Sequence, residues 1–255
     1  MVSKSPKRAR GEKFRFSIFW PLAAVVVPLV GVIMKIEVID GHKMPRTGAY
    51  VLAPNHYSEI DPLAVAVAVW RVGREPRFLA KESLFRVPVL GWALSVTGMV
   101  PVARNSSSAS ARNTLDATEM LVRHGRGVVV YPEGTLTRDP ELWPMRGKTG
   151  AARLALDGDI PVIPMAQWGA QQILPRYGKL RLWPLRRRIQ VVIGDPVDLR
   201  EYRSGDVTPA KLSAATDAIM ADVAQLLSGL RGEPAPAQRW NPAAHGQQET
   251  GRLES

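Results

Sequence analysis

A chain of 255 residues, 45% of them hydrophobic, can bury one sizeable core, which excludes general disorder. It contains no cysteine, which excludes disulfides, thiolate metal sites and a cysteine nucleophile. A net charge of +11 points to polyanionic partners. No nucleic-acid module is recognisable, and the basic residues lie beside apolar and aromatic ones, so a membrane surface is expected and nucleic acid is not.

Met1 to Arg15 is polar and basic, with only Glu12 opposing six Lys and Arg, and reads as a flexible arm. Phe16 to Met34 follows without a charge, "FSIFWPLAAVVVPLVGVIM". At ~1.5 Å per residue it would nearly cross a hydrocarbon core of ~30 Å. A cleaved signal peptide lacks its small-residue cleavage site here. A full span would send a basic chain across the membrane and would be kinked by Pro21 and Pro28. The favoured reading is a monotopic anchor at the cytoplasmic face of the cell membrane, with Phe16, Phe19 and Trp20 near the interface.

From Lys35 the pattern changes. "KIEVIDG" alternates as a strand does, and "GAYVLAPNH" is an apolar strand ending in polar residues. "PLAVAVAVW" is helical, with Pro62 at a tolerated first position and Asp61 as its N-cap. "RFLAK" reads as strand, "LFRVPVLGWALSVTG" as one helix, and "MVPVAR" as strand. "ARNTLDATEMLVRHG" is an amphipathic helix closed by Gly125, and "GVVVYPEGT" is a buried strand running into a loop. Helix "GKTGAARLALDGD" precedes the strands "IPVIPMAQW" and "RRIQVVIGDPV". The last helix starts at an N-cap, Thr208, followed by Pro209. Alternation of strands and helices predicts an α/β fold. It would be a single domain, residues 35–230, whose mixed, largely parallel central sheet is flanked by helices. Residues 1–34 are the arm and hydrophobic membrane-anchoring segment, and 231–255 a flexible polar tail. Trp92, Trp143 and Trp168 lie in apolar stretches and are expected in the core or in the wall of an apolar tunnel.

The chemistry concentrates at strand ends. "NHYSEIDP" puts His56 and Asp61 on the connection from strand to helix, at the carboxyl edge of the sheet where open α/β folds bind ligands. Asp61 as an N-cap is the plainer explanation. A carboxylate bent back to the imidazole would instead fix its tautomer and leave the other nitrogen as a base. "VVVYPEGTLTRD" delivers Glu133, Gly134 and Thr135 to the same edge, where Gly134 allows close approach and its neighbours can hydrogen-bond a polyol. Lys81 and Arg104 end two further strands, and Arg138, Arg146 and Lys148 follow the Glu-Gly-Thr turn. Cations around a hydroxyl-binding site suit a phosphorylated alcohol. Lys148 reads equally well as a solvated lysine at a helix start. No metal site is expected. A basic stretch from Leu174 to Arg188, holding Tyr177 and Trp183, reads as a second membrane contact.

"NHYSEIDP", "VPVARN", "YPEGTLTRD" and "IPVIPMAQWGA" resemble, in order, the four sequence blocks of the glycerolipid acyltransferases. The resemblance covers roughly Lys35 to Leu199. It implies that His56 takes the proton of a glycerol hydroxyl as that oxygen attacks an acyl thioester, with Asp61 orienting His56. The donor would be acyl-CoA or acyl carrier protein and the acceptor a lysophospholipid, 1-acyl-sn-glycerol-3-phosphate, with phosphatidic acid as product and no cofactor. Lys81 and Arg104 would hold the acceptor phosphate, with Glu133, Gly134 and Thr135 around its glycerol. The chain departs from the family where Arg commonly follows Pro-Glu-Gly-Thr. Here Leu136 stands, so that either Arg138 takes over the contact or the acceptor differs. Glycerol-3-phosphate, another lysophospholipid or a glycolipid therefore stays open as acceptor. Beside these stand a hydrolase and a non-catalytic lipid-binding protein on the same fold.

Overall fold

The structure is a computed structural model and describes residues 17–88, 90–102, 116 and 118–248. The basic arm, Phe16, Arg104, most of 103–117 and residues 249–255 lie outside the described residues. Five strands form the main sheet: β1 (Met34–Ile39), β2 (Tyr50–Pro54), β5 (Gly127–Val129), β6 (Val162–Trp168) and β7 (Arg187–Ile193). Their order is β1-β7-β6-β2-β5, and all neighbours are parallel except β6 and β7. β3 (Leu79–Lys81) and β4 (Val100–Val102) pair in parallel, and the bridge Phe78–Val129 joins them to β5 in the same sense. This is the expected mixed, largely parallel sheet.

Central strands of such a sheet are covered on both faces and read as unbroken apolar runs. β2 does so, and its period of two divides it. Tyr50 and Leu52 join a core with helix α2 (Asp61–Arg71) and α1 (Phe19–Ile33). Val51 and Ala53 join the opposite core with α4 (Gly150–Gly158) and α5 (Pro209–Arg231). A one-residue slip would exchange the two sets, so the register is strongly specified. α5 begins as expected, the Thr208 hydroxyl accepting the Lys211 amide hydrogen at 3.3 Å. The buried Arg74 donates to the carbonyls of Pro45, Gly48 and Gly125, tying the entry of β2 to the turn before β5.

Several elements differ from expectation. Residues 84–98 are not one helix but a 3-10 turn, Glu82–Arg86, followed by α3 (Leu90–Val96). Pro88 explains the break, since it lacks an amide hydrogen and disfavours helix at the residue before it. Trp92 is 66% exposed and so lines no core, whereas Trp143 is buried under the Arg231 guanidinium. Residues 232–248 pack back on the domain. Trp240 accepts the Arg146 amide hydrogen through its carbonyl and stacks on His245, and Arg239 pairs with Asp217 on α5. α1 has 15 residues, and no described helix is long and apolar enough to cross a membrane. Phe19 is buried beneath Arg77 and does not face outward, while Trp20 is partly exposed.

Candidate active site

The parallel strands bring β2, β3, β4 and β5 to end at one edge. At the exit of β2, the Asn55 amide locks to the backbone of β6. Its oxygen accepts from Gln167 N–H at 2.9 Å and its Nδ2 donates to Gln167 O at 3.1 Å. The loop that follows therefore starts from a fixed point.

His56 and Asp61 meet within that loop. His56 Nδ1 lies 3.0 Å from Asp61 Oδ2, and the same oxygen accepts the amide hydrogens of Tyr57 at 2.7 Å and Ser58 at 2.8 Å. Asp61 is not the N-cap expected from the sequence. Ile60 holds that position, and its side chain makes no capping bond. Asp61 is the first helical residue and turns back on the loop, where three converging donors supply what one helix amide would not. Burial pushes the Asp61 carboxyl above its ordinary pKa, while His56 and the two amides pull it down. The His56 side chain is 17% exposed and Asp61 is fully enclosed. With Nδ1 on the carboxylate, Nε2 is the nitrogen open to a substrate.

Glu133 sits beyond β5 and is wholly buried. Its Oε1 accepts from His56 N–H at 2.9 Å and its Oε2 from Met145 N–H at 3.1 Å. Thr137 N–H donates to His56 O at 2.7 Å. Both backbone groups of His56 are thus held by the segment from Glu133 to Thr137, and the Glu133 carboxyl faces the amides of His56 and Met145 instead of a polyol. Gly134 has φ +69° and lies under the Lys148 stem, where a Cβ would come within 3.0 Å of Lys148 Cδ. Thr135 is half-buried beside it, and Lys148 is exposed. Arg138 is 1% exposed, its Nη1 3.4 Å from the Tyr177 hydroxyl, and Leu136 is also buried. Lys81 ends β3 at the same edge. Among the described residues no cluster of His, Asp and Glu is placed to hold a metal ion.

The sequence reading missed Tyr131. Its ring stacks on the His56 imidazole, centroids 4.1 Å apart at 24°, and Phe78 stacks behind it at 6.4 Å. The available signal was its place directly before Pro-Glu-Gly-Thr. An aromatic pair is worth ~0.5–1.5 kcal/mol beyond burial. Tyr131→Leu should therefore lower kcat by about tenfold with little change in KM, while Tyr131→Phe keeps the ring and the rate. Equal losses in both variants would move the effect from the ring to the hydroxyl.

Residues 35–168 match the family model described as Acyltransferase. Among curated relatives, the chain is 33% identical over 125 residues to the 1-acyl-sn-glycerol-3-phosphate acyltransferase BAT2, chloroplastic, of Brassica napus, covering 49% of this chain and 34% of the relative. It is 30% identical over 134 residues to the 1-acyl-sn-glycerol-3-phosphate acyltransferase of Saccharomyces cerevisiae, covering 51% and 42%. The chain spans about a third to a half of the length of the first curated relatives it matches. Among solved structures, the 1-acyl-sn-glycerophosphate (LPA) acyltransferase PlsC from Thermotoga maritima has a TM-score of 0.57 at 20% identity, covering 82% of this chain and 74% of that one. That likeness establishes the α/β fold alone. The family match takes in the His56–Asp61 pair, the Glu133 clamp and the strands that carry them, over more than half of the sequence, and the chain belongs to the acyltransferase family.

Proposed function

We propose that this chain transfers a fatty acyl group from a thioester, acyl-CoA or acyl carrier protein, to the free hydroxyl of 1-acyl-sn-glycerol-3-phosphate. The observation that carries the reading is the 3.0 Å contact between a partly exposed His56 and a buried Asp61 at the carboxyl edge of the sheet. His56 Nε2 accepts the hydroxyl proton as the oxygen attacks the thioester carbonyl carbon. The tetrahedral species collapses with cleavage of the C–S bond, and the protonated His56 returns its proton to the leaving thiolate. The imidazolium formed between these steps is stabilised by Asp61 Oδ2. General-base help of this kind supplies ~10²–10⁴-fold, and positioning the two substrates supplies much of the rest. Asp61 and Glu133 act on His56 by orienting its ring and its backbone. Lys81, Arg104, Arg138 and Lys148 remain the candidates for the acceptor phosphate, with Gly134 and Thr135 for its glycerol.

The acceptor rests on the activity by which the relatives are known and on the cations of this edge. One observation favours a second acceptor. Leu136 is buried where the resemblance implies Arg, and Arg138 Nη1 lies 3.4 Å from the Tyr177 hydroxyl, which leaves position 136 without the cation of the family pattern. Purified protein with palmitoyl-CoA should release free thiol only when lysophosphatidic acid is added. Turnover only with glycerol-3-phosphate, another lysophospholipid or a glycolipid would keep the chemistry and change the acceptor. Thiol release regardless of acceptor would make the protein a hydrolase.

The exposed face of α1 supports a monotopic place on the membrane. Ile18, Leu22, Val25, Leu29 and Val32 recur at alternating steps of four and three, which puts them on one helical face, and all are exposed. Phe19 and Val30 are buried in the protein, and Val26, Val27 and Ile33 pack against its core. A helix apolar on both faces with the protein on one of them suits burial of the other in a leaflet.

A further inference from the structure

We infer that the segment from Gly178 to Arg186 is a second bilayer-docking element, and that it is built onto the active-site loops. This rests on the acyltransferase reading for its purpose and on the surface itself for its existence. Residues 178–186 are all exposed, between β6 and β7. Leu180, Leu182, Trp183 and Leu185 supply an apolar tip, with Trp183 81% exposed. Lys179, Arg181 and Arg186 surround that tip, and none has an acidic partner among the described residues. From Leu174 to Arg188 there is no Asp or Glu. A tryptophan and three leucines ringed by unpaired cations match the boundary of an anionic leaflet, where the apolar tips enter the acyl region and the cations meet headgroup phosphates. Arg186 also lines a groove with Pro28, Gly31 and Val32 of α1, so the two apolar surfaces adjoin.

The base of the segment is bonded to the catalytic blocks. Ser58 Oγ donates to Leu174 O at 2.6 Å, and Tyr177 N–H donates to Glu59 Oε1 at 3.2 Å. Arg176 donates to the carbonyls of Thr137 and Asp139. Ser58 and Glu59 belong to the His56–Asp61 loop, and Thr137 binds the His56 carbonyl. Seating the tip in a leaflet therefore sets the mouth of the site at the lipid surface, where a lysophospholipid resides.

The test uses the full chain with vesicles of phosphatidylcholine, with and without phosphatidylglycerol. Partitioning is read by flotation, and tip depth by quenching of tryptophan fluorescence with brominated lipid. At about fivefold per cation, the triple variant Lys179→Gln/Arg181→Gln/Arg186→Gln should lose roughly 100-fold of its partitioning on anionic vesicles and little on phosphatidylcholine alone. Trp183→Phe should remove the largest share of the lipid-dependent quenching. Turnover of a short-chain acceptor dissolved as monomer should be unchanged in both variants. Unchanged partitioning and unchanged quenching would overturn the inference. So would loss of monomer-acceptor turnover in the triple variant, since the segment would then act on the site and not on the membrane. Intact vesicle binding with lost affinity for an acidic acyl carrier protein would overturn it too, assigning the surface to the donor. A wild type that binds vesicles through this tip but turns over no acceptor would leave the docking surface standing and fail the functional reading.

Discussion

His56→Ala should abolish acyl transfer, lowering kcat by ~10³-fold or more, while the protein stays folded. The magnitude follows from the proton. Without Nε2 the attacking hydroxyl must lose its proton to water within a site arranged around an imidazole. Asp61 cannot take over, because its Oδ2 is turned to the amides of Tyr57 and Ser58 and the carboxyl is enclosed. The structural cost is small by comparison. The substitution removes one hydrogen bond to Asp61, worth ~1 kcal/mol, and the stack on Tyr131, worth about as much. Backbone bonds from His56 to Glu133 and Thr137 survive in alanine. For a chain of this size that amounts to a fall in Tm of a few degrees. Thiol release and thermal melting on the same preparation separate the two effects. Wild-type turnover in the variant would remove His56 from the mechanism, and loss of turnover in proportion to unfolding would reduce it to a structural residue.

The legible parts of this fold are those set by local pattern. β2 is a continuous apolar run, and β6 is one up to Gln167, because both faces of each are covered, and that composition is visible in Tyr50–Pro54 and Val162–Trp168 without knowing their neighbours. The contact between His56 and Asp61 was legible too, since a short connection from strand to helix suffices to bring the two together. What Asp61 does there was less so. Capping α2 and folding back on Tyr57 and Ser58 are consistent with the same string "SEIDP", and only the turn at residues 58–60 decides between them. Tyr131, and the hold of Glu133 on the His56 backbone where a contact to the acceptor glycerol was expected, escaped for a different reason. Their contacts to His56 span more than seventy residues and depend on β5 lying beside β2, a strand order that no local pattern encodes. Trp92 shows the converse error, because an apolar neighbourhood in sequence is not a buried one, and α3 carries this ring 66% exposed.

The second large effect belongs to Glu133, and its signature is in pH. Burial pushes this carboxyl from 4.5 up to about 8, against the amides of Met145 and His56 and the Thr137 hydroxyl. The folded protein therefore holds this proton more tightly than the unfolded chain does. The stabilisation is full below the ordinary value of 4.5 and is lost progressively as pH rises through about 8. Glutamine cannot ionise, but its amide nitrogen sets a donor against one of two backbone N–H groups. Leaving one of them unpaired in the interior costs ~1–3 kcal/mol. Glu133→Gln should thus be less stable than wild type at acidic pH, and the gap should narrow as pH rises toward 8 because only the wild type is losing stability to ionisation. Asp61, also raised, titrates in both proteins, and its charge adds to what raises Glu133, so that coupling enters the difference in the same direction as the Glu133 titration itself. Melting curves of the two proteins across this range decide the matter. Parallel curves would mean that Glu133 keeps its charge throughout, its two amides outweighing its burial. Convergence with a matching loss of kcat in the variant would tie the placement of His56 to a neutral carboxyl seventy-seven residues away in sequence.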